Sequence, residues 1–189
     1  MAIHLRKEDG RRVPWKNGQG TTLELATDAT MRGGPWTWRL SIADVPTSGP
    51  FSRFEGHDRL IACLDGDGMT LVVDGRSLDV PHVGEALAFS GDLETTGRLR
   101  GGACRDVNLI VRRDRWRARL WLLRGAVECR LSSVATALVH VVDGEVSVIE
   151  GESVGHDLTS GESLVVRGAS TATTGSGVVV LAAIERASA

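Results

Sequence analysis

Leu64–Gly91 reads LDGDGMTLVVDGRSLDVPHVGEALAFSG, and Val142–Gly168 reads VDGEVSVIEGESVGHDLTSGESLVVRG. Both pass through Asp-Gly, an alternating apolar run, an acidic-Gly turn, a short second run, a Gly-Glu turn and a further apolar run. The landmarks keep step: Asp65 and Asp143 are 78 positions apart, Asp74 and Glu150 are 76, and Gly84 and Gly161 are 77. Segments of this length with period-two alternation and glycine at the joints read as hairpins. A unit of hairpins repeated once predicts two small β-barrels, since closing a sheet on itself removes its exposed edges.

The segments around the repeat agree. In Trp36–Ala43, WTWRLSIA, alternation puts Trp38, Leu40 and Ile42 on one face and Arg39, Ser41 and Ala43 on the other. In Asp106–Arg112, DVNLIVR, it puts Asp106, Asn108, Ile110 and Arg112 opposite Val107, Leu109 and Val111. Trp116–Leu123 fits a helical as well as a β period, and its all-β surroundings favour a strand. Met31–Pro35 and Thr171–Gly177, TATTGSG, read as loops. Trp36, Trp38, Trp116 and Trp121 are expected to pack in cores. No linker separates independent domains. The expected division is 1–114 for a first barrel and 115–189 for a second, packed as one unit.

Composition sets limits on function. The chain has 189 residues, 42% of them apolar and 24% charged, with a net charge of −2. No global charge draws it to nucleic acid or membrane, and neither is an expected partner; the arginines from Arg112 to Arg119 read as a solvated strand face. No apolar run has the length of a membrane helix, and the first residues lack a signal-peptide core. Cys63, Cys104 and Cys129 are odd in number, form no C-x-x-C pair, and suit a cytoplasmic location as small buried apolar residues.

Val13–Leu25, VPWKNGQGTTLEL, combines a hairpin signal, Asn17-Gly18, with an unusual cation. Lys16 is one of only two lysines among 22 basic residues. In so arginine-biased a chain, a compact ammonium beside Trp15 points to a confined place, the rim of a pocket. A plain turn remains the other reading of Lys16 and Asn17.

Pro14–Leu25 (PWKNGQGTTLEL), Trp36–Arg59 (WTWRLSIADVPTSGPFSRFEGHDR) and Cys104–Arg113 (CRDVNLIVRR) together resemble the three signature blocks of the HutD/Ves family. Gln19 stands where the family usually has glycine, and Val107 where it has an aromatic. The resemblance implies an all-β bicupin, two cupin barrels in one chain, which agrees with the repeat. It also implies a link to histidine utilisation, some members being thought to sense or sequester an acid such as urocanate or formylglutamate. Other members are linked to cold or stress response.

Enzymatic cupins hold a metal through an H-x-H pair, a Glu and a third His. Here the corresponding positions fall near Arg53, Glu55, Arg59 and Thr95, and no two of the five histidines have ligand spacing; His57, beside Asp58, reads as a loop residue. Neither a metal nor any other cofactor is expected. No G-x-S-x-G elbow and no phosphate loop is present. What remains is a polar set for the first barrel: Arg39 with Ser41, Asp106 with Asn108, Glu24 with Thr22, and Arg59 and Ser52 from the Phe51–Arg59 block. Arginine forks match carboxylates, Asn and Ser orient, and Trp15 or Phe51 can cover a planar ligand. The expectation is a binding protein for a small organic acid that modulates a catabolic pathway, with a homodimer left open. A metal-independent cupin enzyme, or a module in which Arg39, Arg59, Glu24 and Asp106 form a structural ion network, are the alternatives.

Overall fold

In the computed structural model the described residues are 2–15, 20–31, 33–132, 134–151, 154–168 and 171–187. Alternating runs become strands β1 (Ala2–Leu5), β2 (Arg11–Pro14), β3 (Thr21–Thr27), β4 (Trp38–Val45), β5 (Gly49–Pro50), β6 (His57–Asp65), β7 (Met69–Val73) and β8 (Arg76–Asp79). They continue as β9 (Gly84–Glu85), β10 (Leu87–Ser90), β11 (Thr95–Leu99), β12 (Cys104–Arg112), β13 (Trp116–Leu131), β14 (Thr136–Glu150), β15 (Val154–Thr159), β16 (Ser163–Arg167) and β17 (Thr171–Arg186). One 3₁₀ turn, Lys7–Asp9, is the only helical element among the described residues.

The first barrel is made of two sheets, ordered β10-β6-β12-β4-β3-β2 and β5-β11-β7-β8. The second is one sheet, β1-β16-β14-β17-β13-β9, with β15 on β14. The pairings repeat. β6 joins β10 and β12 as the first part of β14 joins β16 and β17, and β7 joins β8 and β11 as the rest of β14 joins β15 and β17. The chain is therefore a bicupin. Strands that are broken in the first barrel run on in the second. At Asp65 the chain leaves β6 through Gly66 and Gly68, both at positive φ; at Asp143 it only bulges within β14, with Gly144 at φ 96°. The two extra residues of the first copy make the difference. Gly84 and Gly161 share a positive φ, 84° and 94°, at matching joints.

Thr171–Gly177 is not a loop but the start of β17, paired on both sides with β13 and β14. Its glycines serve close approach: a Cβ on Gly177 would stand 2.0 Å from the Asp143 carbonyl oxygen. Trp116–Leu123 is strand, as expected. Ala2–Leu5, inside the segment assigned to the first barrel, pairs with β16 of the second sheet.

Three apolar layers follow from the alternation. Trp38, Leu40, Leu60, Ala62, Val107 and Leu109 face Leu120, Leu138, Val180 and Ala182 between the barrels. Ile61, Cys63, Met69, Leu71 and Cys104 fill part of the first barrel, and Val139, Val148, Leu164 and Leu181 fill the second. Trp38 is fully buried, whereas Trp36 lies outside the strand, edge-on to His57 with ring centroids 5.5 Å apart. Cys63 and Cys104 lie together in this layer, and the neighbouring Cys63 thiol and burial hold the Cys104 thiol well above its ordinary range. No helix among the described residues is long and apolar enough to cross a membrane.

Candidate functional site

β4, β12 and β6 lie side by side, and their alternation sends every second residue into the first barrel. The register sorts these residues into rows. Arg39, Ile110 and Arg59 make one row; Ser41, Asn108 and Ile61 the next; Ala43, Asp106 and Cys63 the third. The sheet of β5 and β11 and the segment after β5 supply Pro50, Phe51, Ser52 and Phe54, while the β2–β3 hairpin supplies Val13, Pro14, Trp15 and Thr22. Between them is a cavity of about 520 Å³, of a size that takes a small ligand.

Of the residues singled out in the sequence, Trp15, Arg39, Ser41, Phe51, Ser52, Arg59, Asp106 and Asn108 all line this one cavity. Glu24 does not. It is buried on β3 opposite Ser41, one strand out in the Ser41–Asn108 row, and receives both Nε and Nη2 of Arg11, at 3.1 and 3.2 Å. Lys16 and Asn17 lie outside the described residues. The hairpin that carries them is closed by Trp15 N–H donating to the Gly20 carbonyl at 2.9 Å, and Trp15 Nε1–H donates to Thr22 Oγ1.

The arginines are held by aromatic faces rather than by carboxylates. Arg59, 4% exposed, has its guanidinium carbon 5.2, 5.4 and 5.2 Å from the ring centroids of Phe51, Phe54 and Phe89. Its Nη1 donates to the Ser52 carbonyl at 3.1 Å. Arg39 stands over Trp36 and Phe54, at 4.8 and 5.5 Å, and its Nε has no acceptor among the described residues. Burial lowers the pKa of both, Arg59 to about 10, with Asp106 opposing the shift and Arg39 adding to it. Asp106 is fully buried, and burial pushes it up to about 7; Arg59 opposes that shift and Asp44 adds to it. No ion pair within 4 Å joins Arg39 or Arg59 to Glu24 or Asp106, so the four make no network of direct pairs.

Phe54, which lies beneath both arginines, was not singled out in the sequence, and Trp36, expected in a core, is half-buried under Arg39 instead. The F-S-x-F spacing of the signature block carried the signal for Phe54. The positions where enzymatic cupins keep metal ligands hold exposed Arg53 and Glu55, Arg59 itself, and Thr95, whose hydroxyl donates to the Leu93 carbonyl. Among the described residues no three His, Cys, Asp or Glu side chains converge. His57 Nδ1 faces the Glu55 carbonyl at 2.7 Å. The arginines from Arg112 to Arg119 are largely spent on neighbours: Arg113 bridges Asp58 and Asp92, and Arg119 meets Glu85.

Gly97 of β11 lets the Phe51 ring lie against the strand, since a Cβ there would stand 2.5 Å from Phe51 Cε2. Gly97→Ala is expected to swing Phe51 away from Arg59 at a stability cost of about 1 kcal/mol, the low end for overpacking because a ring edge can yield. Denaturant unfolding measures the cost, and a crystal structure of the variant shows the ring.

Fold and cavity together define a bicupin whose first barrel keeps a polar, aromatic-walled pocket. The HutD family model matches residues 7–181, and the chain belongs to that family. It is 44% identical over 144 residues to an uncharacterized 21.2 kDa protein in the hutC 3' region of Pseudomonas putida, covering 76% of this chain and 75% of that one. Protein Ves of Cronobacter sakazakii is 32% identical over 116 residues, 59% of this chain and 63% of Ves, so the match spans under two thirds of that relative. HutD from Pseudomonas fluorescens SBW25, in a structure described as a formate condition, superposes with a TM-score of 0.80 at 36% identity over the whole of both chains. Bacterial pirin from Escherichia coli, at 11% identity and a TM-score of 0.68 over both full chains, shares the fold alone.

Proposed function

We propose that the first-barrel cavity binds a small carboxylate metabolite, of the urocanate or formylglutamate type, and that the protein thereby modulates histidine catabolism. One observation carries this reading: two guanidiniums, Arg39 and Arg59, face one cavity, and among the described residues no carboxylate is paired to either. A buried cation without a partner is costly, and the chain surrounds these with aromatic rings that leave their N–H groups able to donate to an incoming acid. A carboxylate taken in both desolvates and neutralises the site, and bidentate geometry gives it orientation. The names of the hut-region relative and of HutD from P. fluorescens support a place in histidine utilisation.

The test is thermal unfolding with urocanate, formylglutamate, formate and acids outside the pathway. An acid present at about 100 times its Kd stabilises the protein by roughly 2.7 kcal/mol. No response to any of the panel, at concentrations up to tens of millimolar, overturns the proposal.

A further inference from the structure

The cavity has a second chemical end. Asp106 Oδ1 and Oδ2 and Asn108 Oδ1 are all buried, and none has a hydrogen-bond partner among the described residues. Buried acceptors are nearly always satisfied, so three orphans lining one cavity call for a donor that the described residues do not supply. The described neighbours in the sheet show why. In the rows beside them stand Ala43 and Ile61, which have no side-chain donor, Ser41, whose hydroxyl donates to the Asn108 carbonyl, and Cys63, whose thiol makes no hydrogen bond to either Asp106 oxygen. Trp15 has already given its indole N–H to Thr22.

The register also fixes where this end lies. Asp106 is four residues from Ile110, whose row carries Arg39 and Arg59. That is roughly 13 Å along the strand, with Asn108 halfway. The side chains bring the ends closer, since Arg59 and Asp106 still act on each other's charge. A ligand as short as formate fills only the arginine end and leaves the acceptors bare.

We propose that Asp106 and Asn108 form a second subsite that accepts an N–H or O–H group of the ligand, so that the cavity selects acids bearing a hydrogen-bond donor several bonds from the carboxylate. This rests on the reading of the arginine end as an acid site. A donor is worth more here than in water, because without it both residues stay desolvated and unpaired. Burial already holds the Asp106 carboxyl far above its ordinary range, and a donated hydrogen bond relieves that strain on its charged form.

Two matched pairs of probes test it by titration calorimetry. trans-Urocanate and trans-cinnamate share an acrylate on a planar ring, and only the first has a ring N–H. Glutaramate and its N,N-dimethylamide share a carboxylate and a carbonyl, and only the first has amide N–H groups. The donor-bearing member of each pair is expected to bind the wild type at least tenfold more tightly. In Asp106→Leu and in Asn108→Leu, each of which removes one residue's acceptors, that ratio is expected to fall, and in the double variant to approach one. Equal affinities within both pairs in the wild type overturn the second subsite and leave the acid site standing. A wild-type preference that persists in all three variants also overturns it. If no probe binds the wild type, the acid site and this inference fall together. The wild-type ratio decides even if a variant does not fold.

Discussion

Between pH 4 and pH 8 the stability of Asp106→Asn is expected to rise relative to wild type by up to about 4 kcal/mol. The cause is the proton on Asp106. In the unfolded chain this carboxyl titrates near 3.8, and burial in the folded barrel raises it to about 7. Below pH 3.8 both states hold the proton and nothing is lost. Between the two values the folded state keeps a proton that the unfolded state has released, so each unit of rising pH favours unfolding by about 1.4 kcal/mol. Above pH 7 the loss is complete. Asn cannot titrate, and it removes this slope. His140 slopes the other way: burial lowers it to about 4, so its contribution is lost as pH falls from 6.5. It does so in wild type and variant alike, so their difference isolates Asp106. Denaturant titrations of both proteins at four or five pH values measure it. A difference that stays flat across this range would show that Asp106 is ionised at ordinary pH in the folded state.

Arg59→Met is expected to weaken binding of urocanate or formylglutamate by about ten- to a hundredfold. That corresponds to losing one charge-assisted interaction of roughly 1.5–3 kcal/mol. The folded state is expected to suffer much less than from breaking a buried ion pair, which costs about 3–5 kcal/mol. Among the described residues Arg59 has no carboxylate within ion-pair distance, and the variant loses one hydrogen bond, to Ser52, worth about 1 kcal/mol. A thioether suits the three phenylalanine rings that now surround the guanidinium. Asp106, relieved of a nearby cation, holds its proton to higher pH. Calorimetric titration gives the affinity and thermal unfolding the stability. Collapse of the ligand-free variant, together with no wild-type response to either acid, would return Arg59 to a purely structural role.

Much of the site was legible because strands have a two-residue period. Alternation alone put Arg39 with Ser41 and Asp106 with Asn108, each pair on one face, and β4 and β12 carry them so. That these faces look into one cavity with Arg59 and Trp15 came from the signature blocks. Where sequence reading failed, the answer lay in partners far along the chain. Glu24 alternates with Thr22 toward the barrel, yet its place opposite Arg11 in the β2–β3 register gives its carboxylate to that arginine. Asp65-Gly66 and Asp143-Gly144 are the same dipeptide, but one ends a strand and the other bulges within it, because two additional residues follow only the first. The glycines of Thr171–Gly177 signal a loop locally; the crowding of β13 and β14 on either side is what makes them necessary within a strand.

Ala2 lies opposite Val166, and Leu5 opposite Ser163. On the ribosome the first of these strands is made long before the second, with an interval of roughly ten to thirty seconds at ordinary elongation rates. During that time β2 to β12 can assemble while β1 trails from them unpaired. The barrel completed last is thus closed by residues made early, in a contact of very high sequence separation, the kind that slows folding most. Until β1 docks, β16 shows a bare edge to every other nascent chain nearby. The order of synthesis therefore keeps this edge open until nearly the whole chain exists, and its closing ties the first strand to the second barrel.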